Sequence, residues 1–178
     1  MKKLIIPLLI LVSLTGCAGK VLKDPASKNV SMVFAYINTD EFHERSHGGN
    51  LYDVKAKENG PGLFYMYDLK GGSDRSIVYS VDVEAGVYSL NDLRIVTGNI
   101  TNHLLLHNHG IDEGKVNVGK QGVYFLGSYK YEKTKDGFAI VRTSTPSEKE
   151  VIKKILSHRY TEEGQWKKML KSRMKKLR

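Results

Sequence analysis

Apolar positions recur with two different periods along this chain, and the change falls at Pro146. Val30-Ser31-Met32-Val33-Phe34-Ala35-Tyr36-Ile37 is apolar on both alternating faces, the pattern of a central strand covered on two sides. Leu63 to Tyr67 is a second short apolar run. In Ile77-Val78-Tyr79-Ser80-Val81-Asp82-Val83 the odd positions are all apolar, which predicts a half-buried strand. Glu84-Ala85-Gly86 turns the chain and Val87 to Leu90 continues it. Leu104 to Leu106, Lys115 to Val118, Val123 to Tyr131 and Phe138 to Arg142 complete the set, with turn sequences at 119–122 and 134–137. Residues 41–61 are polar and glycine-bearing and read as a long loop, a length that in a compact domain goes with motion or function. Short strands separated by turns, with no helical period before residue 146, predict a mainly β fold. The expected architecture is an antiparallel β-sandwich of about seven to eight strands over residues 30–145. Phe34, Tyr79, Val81, Leu90, Phe125 and Ile140 are its expected core.

From Thr145-Pro146-Ser147-Glu148 onward the period becomes helical. Threonine as cap, proline at the first helical position and glutamate at the third form a capping box in this reading. Val151, Ile152, Ile155 and Leu156 make one apolar stripe. Thr161-Glu162-Glu163 opens a second helix, with acids at its start and bases at its end as the helix dipole prefers. One or two C-terminal helices over residues 146–178 are therefore expected. In the second, Trp166, Met169, Leu170, Met174 and Leu177 share one arc, and Lys167, Lys168, Lys171, Lys175 and Arg178 fall largely opposite. Arg173 sits within the apolar arc and must either snorkel or find a carboxylate. Packing on the sandwich or the preceding helix would use Trp166 as an anchor. A membrane or partner contact would instead use Trp166, Lys167, Lys168, Lys171 and Lys175. Packing avoids the aggregation that an exposed tryptophan stripe invites.

Charge sharpens the division at residue 146. Residues 18–146 carry 15 Lys+Arg and 15 Asp+Glu, whereas residues 147–178 carry 11 Lys+Arg against 4 Asp+Glu. The sequence pI near 9.5 is a property of the C-terminal segment. Such a basic segment could serve nucleic acid, but the N-terminus points elsewhere. Met1-Lys2-Lys3 precedes an apolar run from Leu4 to Leu14, broken by Pro7 and Ser13, that ends at small residues. This is the arrangement of a secretion signal, and it is shorter than the roughly 20 apolar residues of a membrane-spanning helix. A place outside the cytoplasm argues against a nucleic-acid partner, and none is expected. Cys17 is the only cysteine, so no internal disulfide can form and the domain has to be held by packing.

Leu14-Thr15-Gly16-Cys17 closely resembles the lipobox of bacterial lipoprotein precursors. That resemblance implies thioether lipidation of Cys17, cleavage before it and N-acylation of the new terminus. Residues 1–16 would then be the signal peptide and 17–29 a lipidated tether, in a mature chain of 162 residues. Ala18 follows the lipidated position where an aspartate would favour inner-membrane retention. By resemblance to enterobacterial lipoproteins it implies an outer-membrane anchor, with the domain facing the periplasm.

A second resemblance lies in the strands. Ala85-Gly86-Val87-Tyr88-Ser89-Leu90 looks like the G-x-Y-x-L strand of small Gram-negative lipoproteins of unknown function. Val116-Asn117-Val118-Gly119, running through Gly122-Val123-Tyr124-Phe125-Leu126-Gly127, is similar to their V-x-x-G-x-x-Y-x-G hairpin, here lengthened by Lys120-Gln121. Those domains are similar to transthyretin-like and carboxypeptidase-regulatory-like sandwiches, and they bring no catalytic residues to transfer. The implied function is a lipid-anchored, non-enzymatic binding or adaptor module whose partner is an envelope protein or cell-wall component.

The alternative is a metal- or carboxylate-dependent hydrolase acting on envelope polymers. His103, His107 and His109 share one parity, and His-x-His can chelate a metal from one strand, zinc foremost. His43 and His47 could add ligands. Asn102, Asn108 and Gly110 argue for an irregular loop instead, and no carboxylate lies within three residues of His107, so these histidines also read as surface or edge residues with no cofactor. Glu41, Glu44, Asp53 and Glu58 could pair as acid and base, although scattered loop carboxylates are commonly just solvated. No Gly-x-Ser-x-Gly elbow is present, and Gly71-Gly72-Ser73-Asp74 precedes a strand, not a helix that could cradle phosphate. Metal analysis of protein purified without chelator or nickel resin separates the two readings of the histidines. Stoichiometric zinc supports a site, and metal-free protein removes it.

Overall fold

The computed structural model describes residues 25, 28–38, 45–53, 63–68, 76–97, 100–105, 115–135, 137–157 and 164–177. Strands β1 (Ser31–Asn38), β2 (Arg45–Asp53), β3 (Leu63–Asp68), β4 (Ile77–Val83), β5 (Gly86–Thr97), β6 (Ile100–Leu105), β7 (Val116–Val118), β8 (Gly122–Thr134) and β9 (Gly137–Thr143) precede helices α1 (Glu148–Ser157) and α2 (Gln165–Lys176). The described chain is thus mostly strand, with two C-terminal helices. The strands follow the hydrogen-bonded order β6-β5-β2-β3-β4-β1-β8-β9, with β7 added to β5.

Burial of β1 accounts for this arrangement. Ser31 to Ile37 are all buried, as a strand apolar on both faces requires. Met32, Phe34 and Tyr36 point into one apolar cluster with Ile77, Tyr79 and Val123 and with Val151, Ile152, Ile155, Trp166 and Leu170 of the helices. Val33, Ala35 and Ile37 point into a second cluster with Val78, Val83, Leu126 and Tyr129 and with Tyr88 and Val118 from β5 and β7. One face of the β4-β1-β8 group therefore carries the helices, and the other is covered by the start of β5 and by β7.

Pairing departs from the expected antiparallel arrangement at its centre. β1 pairs β4 antiparallel, but it pairs β8 in parallel, so the strands are mixed. Parallel neighbours need a long connection, and here everything from residue 39 to 121 lies between them. A second correction concerns residues 41–61, read as a loop, because Arg45–Asp53 is the strand β2. It bonds to β3 on one side and β5 on the other. Gly48, Gly49 and Asn50 have little intrinsic strand preference, and pairing on both edges overrides it. The register shifts beside Gly49 and between Asn50 and Leu51 mark that compromise.

β4 is not half-buried either. Ile77, Val78, Tyr79 and Ser80 are all buried, because both of its faces are covered. Asp82 has φ 61°, and the β1 register slips there, pairing Ser31 with Val83 but Val33 with Ser80. This extra residue carries Val83 to the opposite face from Ile77 and Tyr79, so odd parity does not persist. A matching irregularity interrupts β8, where Phe34 faces Phe125 but Ala35 faces Gly127. Gly127 has φ 132°, and a Cβ there would come within 3.0 Å of Arg142 Nε, so both backbone and space call for glycine.

The expected β7–β8 hairpin is instead a corner. β7 pairs β5, while β8 leaves to pair β1. Tyr124 closes the corner by accepting the Gly119 N–H at its hydroxyl, 2.9 Å away. A Cβ on Gly122 would lie 2.7 Å from the Tyr124 ring, so glycine is what lets the tyrosine cross the backbone two residues before it. Ser31 donates to the Gly119 carbonyl at 3.0 Å and ties the corner to the start of β1. The chain makes the reverse passage at Glu84-Ala85, between β4 and β5. Thr134 opposite Gly137 does close the expected β8–β9 hairpin.

Among the expected core residues, Phe34 is 0% and Tyr79 3% exposed. Val81, Phe125 and Ile140 are partly buried against the clusters, and the Leu90 side chain lies outside the described residues. Phe34 and Phe125 meet with ring centroids 5.2 Å apart. Urea unfolding is expected to show Phe34→Ala costing about 3–5 kcal/mol. Phe125→Ala should cost clearly less, since its ring keeps contact with water.

Candidate functional site

The feature of the described surface with the most pronounced chemistry is the helical layer. α1 begins two residues later than its sequence suggests. Its cap is Ser147, not Thr145, and its capping-box glutamate is Glu150, not Glu148. Glu150 Oε2 accepts from the Ser147 N–H and from Ser147 Oγ, both at 2.7 Å, and Ser147 Oγ faces the Glu150 N–H at 3.4 Å. The sequence holds two overlapping frames of the same motif, and packing selects the second. Ser128 of β8 donates to the Pro146 carbonyl at 2.5 Å, which holds Pro146 against the sheet and outside the helix. The Ser147 side chain and backbone lower the Glu150 pKa below its ordinary 4.5. That contribution to stability is present above the unfolded value and is lost as pH falls through the lowered one.

The frame shift releases Glu148 for another role. Arg173 Nε donates to Glu148 Oε1 at 2.7 Å and its terminal NH2 donates to Oε2 at 3.0 Å, a bidentate pair across the two helices. The bonds to Glu148 push the guanidinium pKa upward, against a smaller opposing effect of burial. Of the two routes open to Arg173, the carboxylate is the one the structure takes.

α2 begins at Gln165, with Gly164 as an N-cap that makes no side-chain bond, and no acid lies in its first turn. Residues 161–163, expected to open this helix, lie outside the described residues. Trp166 and Leu170 are 2% and 0% exposed, and Met169, Met174 and Leu177 pack partly buried against the same cluster. Trp166, named above as a membrane or partner contact, thus has its surface covered by the protein's own core. Its indole nitrogen is buried without a hydrogen-bond partner. Lys168, Lys171 and Lys175 are exposed and Lys167 half-exposed. Lys153 of α1 is exposed too, and Lys154 Nζ stands 4.9 Å from the centre of the Tyr36 ring. The helices therefore give their apolar arcs to the sheet and turn a lysine face outward. Lys153 lies on α1, outside the single-helix stripe that the sequence pattern marks. The Glu148–Arg173 pair had a visible signal, a lone arginine in an apolar arc.

The remaining sequence candidates fall elsewhere. The His103 backbone belongs to β6, paired with Arg94. His107, His109 and Cys17 lie outside the described residues. Among the described residues, no three His, Cys, Asp or Glu side chains gather to hold a metal, and no helix is long and apolar enough to cross a membrane. No family model, curated protein or solved structure matches the chain.

A double-mutant cycle tests the interhelical pair. The Arg173 and Glu148 side chains are 42% and 15% exposed, so water screens part of their attraction. Arg173→Ala and Glu148→Ala together should reveal a coupling of about 1 kcal/mol, near the top of the range for exposed pairs. Trp166→Ala should cost about 3–5 kcal/mol, while Lys171→Ala should leave the unfolding midpoint unchanged.

Proposed function

We propose that this chain is a lipid-anchored lipoprotein of the cell envelope, a non-enzymatic binding or adaptor module that keeps an envelope protein or cell-wall component near the membrane. One observation carries the reading: two lysines, a short apolar run and Leu14-Thr15-Gly16-Cys17 stand in the order of a lipoprotein signal. Cys17 is the lipidation site. Ala18 supports an outer-membrane anchor, with the domain on the periplasmic side. In the same reading the strands form a β-sandwich akin to the transthyretin-like domains. The two apolar clusters on opposite faces of β1 support a layered arrangement. So do the two corners that carry the chain between the β4-β1-β8 group and the β5-β2 group.

Acyl chains explain why the anchor is durable. Each buried methylene contributes about 0.8 kcal/mol, and one chain alone holds only marginally, so several are needed for stable attachment. Cys17→Ser in cells fed labelled palmitate tests the assignment. The native chain should take up label and enter the detergent phase, and the variant should do neither. Label retained by the serine variant would overturn the assignment of Cys17.

A further inference from the structure

The outer face of α2 combines three features. Lys168, Lys171 and Lys175 are exposed at the spacing of one helical face. Steps of three and four residues rise about 4.5 and 6 Å along the axis, each within the roughly 8 Å over which physiological salt lets charges act together. The two carboxylates described on the helical layer are both engaged, Glu148 with Arg173 and Glu150 with Ser147. α2 itself carries no acid from Gln165 to Lys176, Glu148 is paired with Arg173, and Glu150 keeps its charge beside Lys153 and Lys154 of its own helix. The apolar arc beneath is spent on the core, with Trp166 and Leu170 covered.

Resting on the anchored reading above, we propose that this lysine face is a docking surface for the anionic phospholipid headgroups of the membrane that holds the lipid. A helix face of one charge sign matches a flat array of opposite charges better than it matches a protein surface of mixed sign. Because Trp166 is buried, the contact is purely electrostatic. Nothing inserts into the acyl region, and salt releases the helix while the lipid stays in place. The lipid holds the domain at the membrane, and the lysines choose which side of it faces the bilayer. Each base in contact contributes roughly fivefold to partitioning.

The experiment uses the full processed chain on vesicles of phosphatidylcholine alone or with about one third phosphatidylglycerol. Lysine acylation is read by mass spectrometry at about 0.05 M and about 0.5 M salt. On anionic vesicles at low salt, Lys168, Lys171 and Lys175 should label at least about fivefold more slowly than on neutral vesicles. Lys120 and Lys135, exposed in the β7–β8 and β8–β9 turns, should not change, and high salt should abolish the difference. Lys176, exposed beside Lys175 on α2, should be slowed with the three in the native chain and should lose that protection in Lys168→Glu/Lys171→Glu/Lys175→Glu. Lys168→Arg/Lys171→Arg/Lys175→Arg should keep it, with far-ultraviolet circular dichroism confirming that both variants fold. Equal labelling on the two vesicle types overturns the proposal. Protection by a soluble anionic polymer but not by anionic vesicles also overturns it and assigns the face to a polymer. Retention on neutral vesicles through a high-salt wash reads the lipid anchor separately. A chain that washes off fails the anchored reading, while its labelling before the wash still reports on the lysine face.

Discussion

A strand with no wettable face has to be covered from both sides, and β1 imposes that condition on everything around it. Its residues from Ser31 to Ile37 are buried without exception. Hydrogen bonds to β4 and β8 satisfy its two edges. Its two faces need separate covers, and the chain supplies different ones. Met32, Phe34 and Tyr36 are roofed by helices, and Val33, Ala35 and Ile37 by Tyr88 and Val118 from neighbouring strands. With no internal disulfide possible, these contacts hold the domain together.

The helical cover in turn sets the chemistry of the outer surface. An amphipathic helix that buries one arc must display the other. Once Trp166 and Leu170 are committed to the sheet, the lysines of α2 have nowhere to go but outward. The Glu148–Arg173 pair keeps the arrangement unambiguous, because a charged residue in the apolar arc finds its partner only when the two helices lie side by side. It also takes a carboxylate out of the surface, which leaves the lysine face less neutralised. Packing and surface charge are thus two results of one placement.

Local devices at the strand ends make the layered core possible. Gly122 lets Tyr124 cross the backbone and receive the Gly119 amide, so β7 and β8 part company instead of pairing. Gly127 and Asp82 each insert a residue, and each shifts which side chains face which cluster. Those two irregularities send Val83 of β4 and Tyr129 of β8 to the opposite cluster from Tyr79 and Val123, the residues of the same parity that precede them.

The sequence by itself determined the elements whose signal is local. The burial of β1 on both faces, the switch of period at Pro146, the apolar stripe of α1 and the segregation of lysines from apolar residues on α2 all follow from residue order, because side-chain periodicity is set within a few residues. Only the tertiary structure decided the parallel pairing of β1 with β8, the strand made from Arg45–Asp53, the choice of Ser147 as the α1 cap and the carboxylate that meets Arg173. Each of these depends on a partner far along the chain. Gly48, Gly49 and Asn50 carry no strand signal of their own and become strand because β3 and β5 lie on either side. Thr145 and Ser147 begin equally plausible caps, and the bond from Ser128 to Pro146 separates them. Residue order encodes which faces must be buried. The identity of what covers them is fixed by contacts that sequence periodicity does not contain.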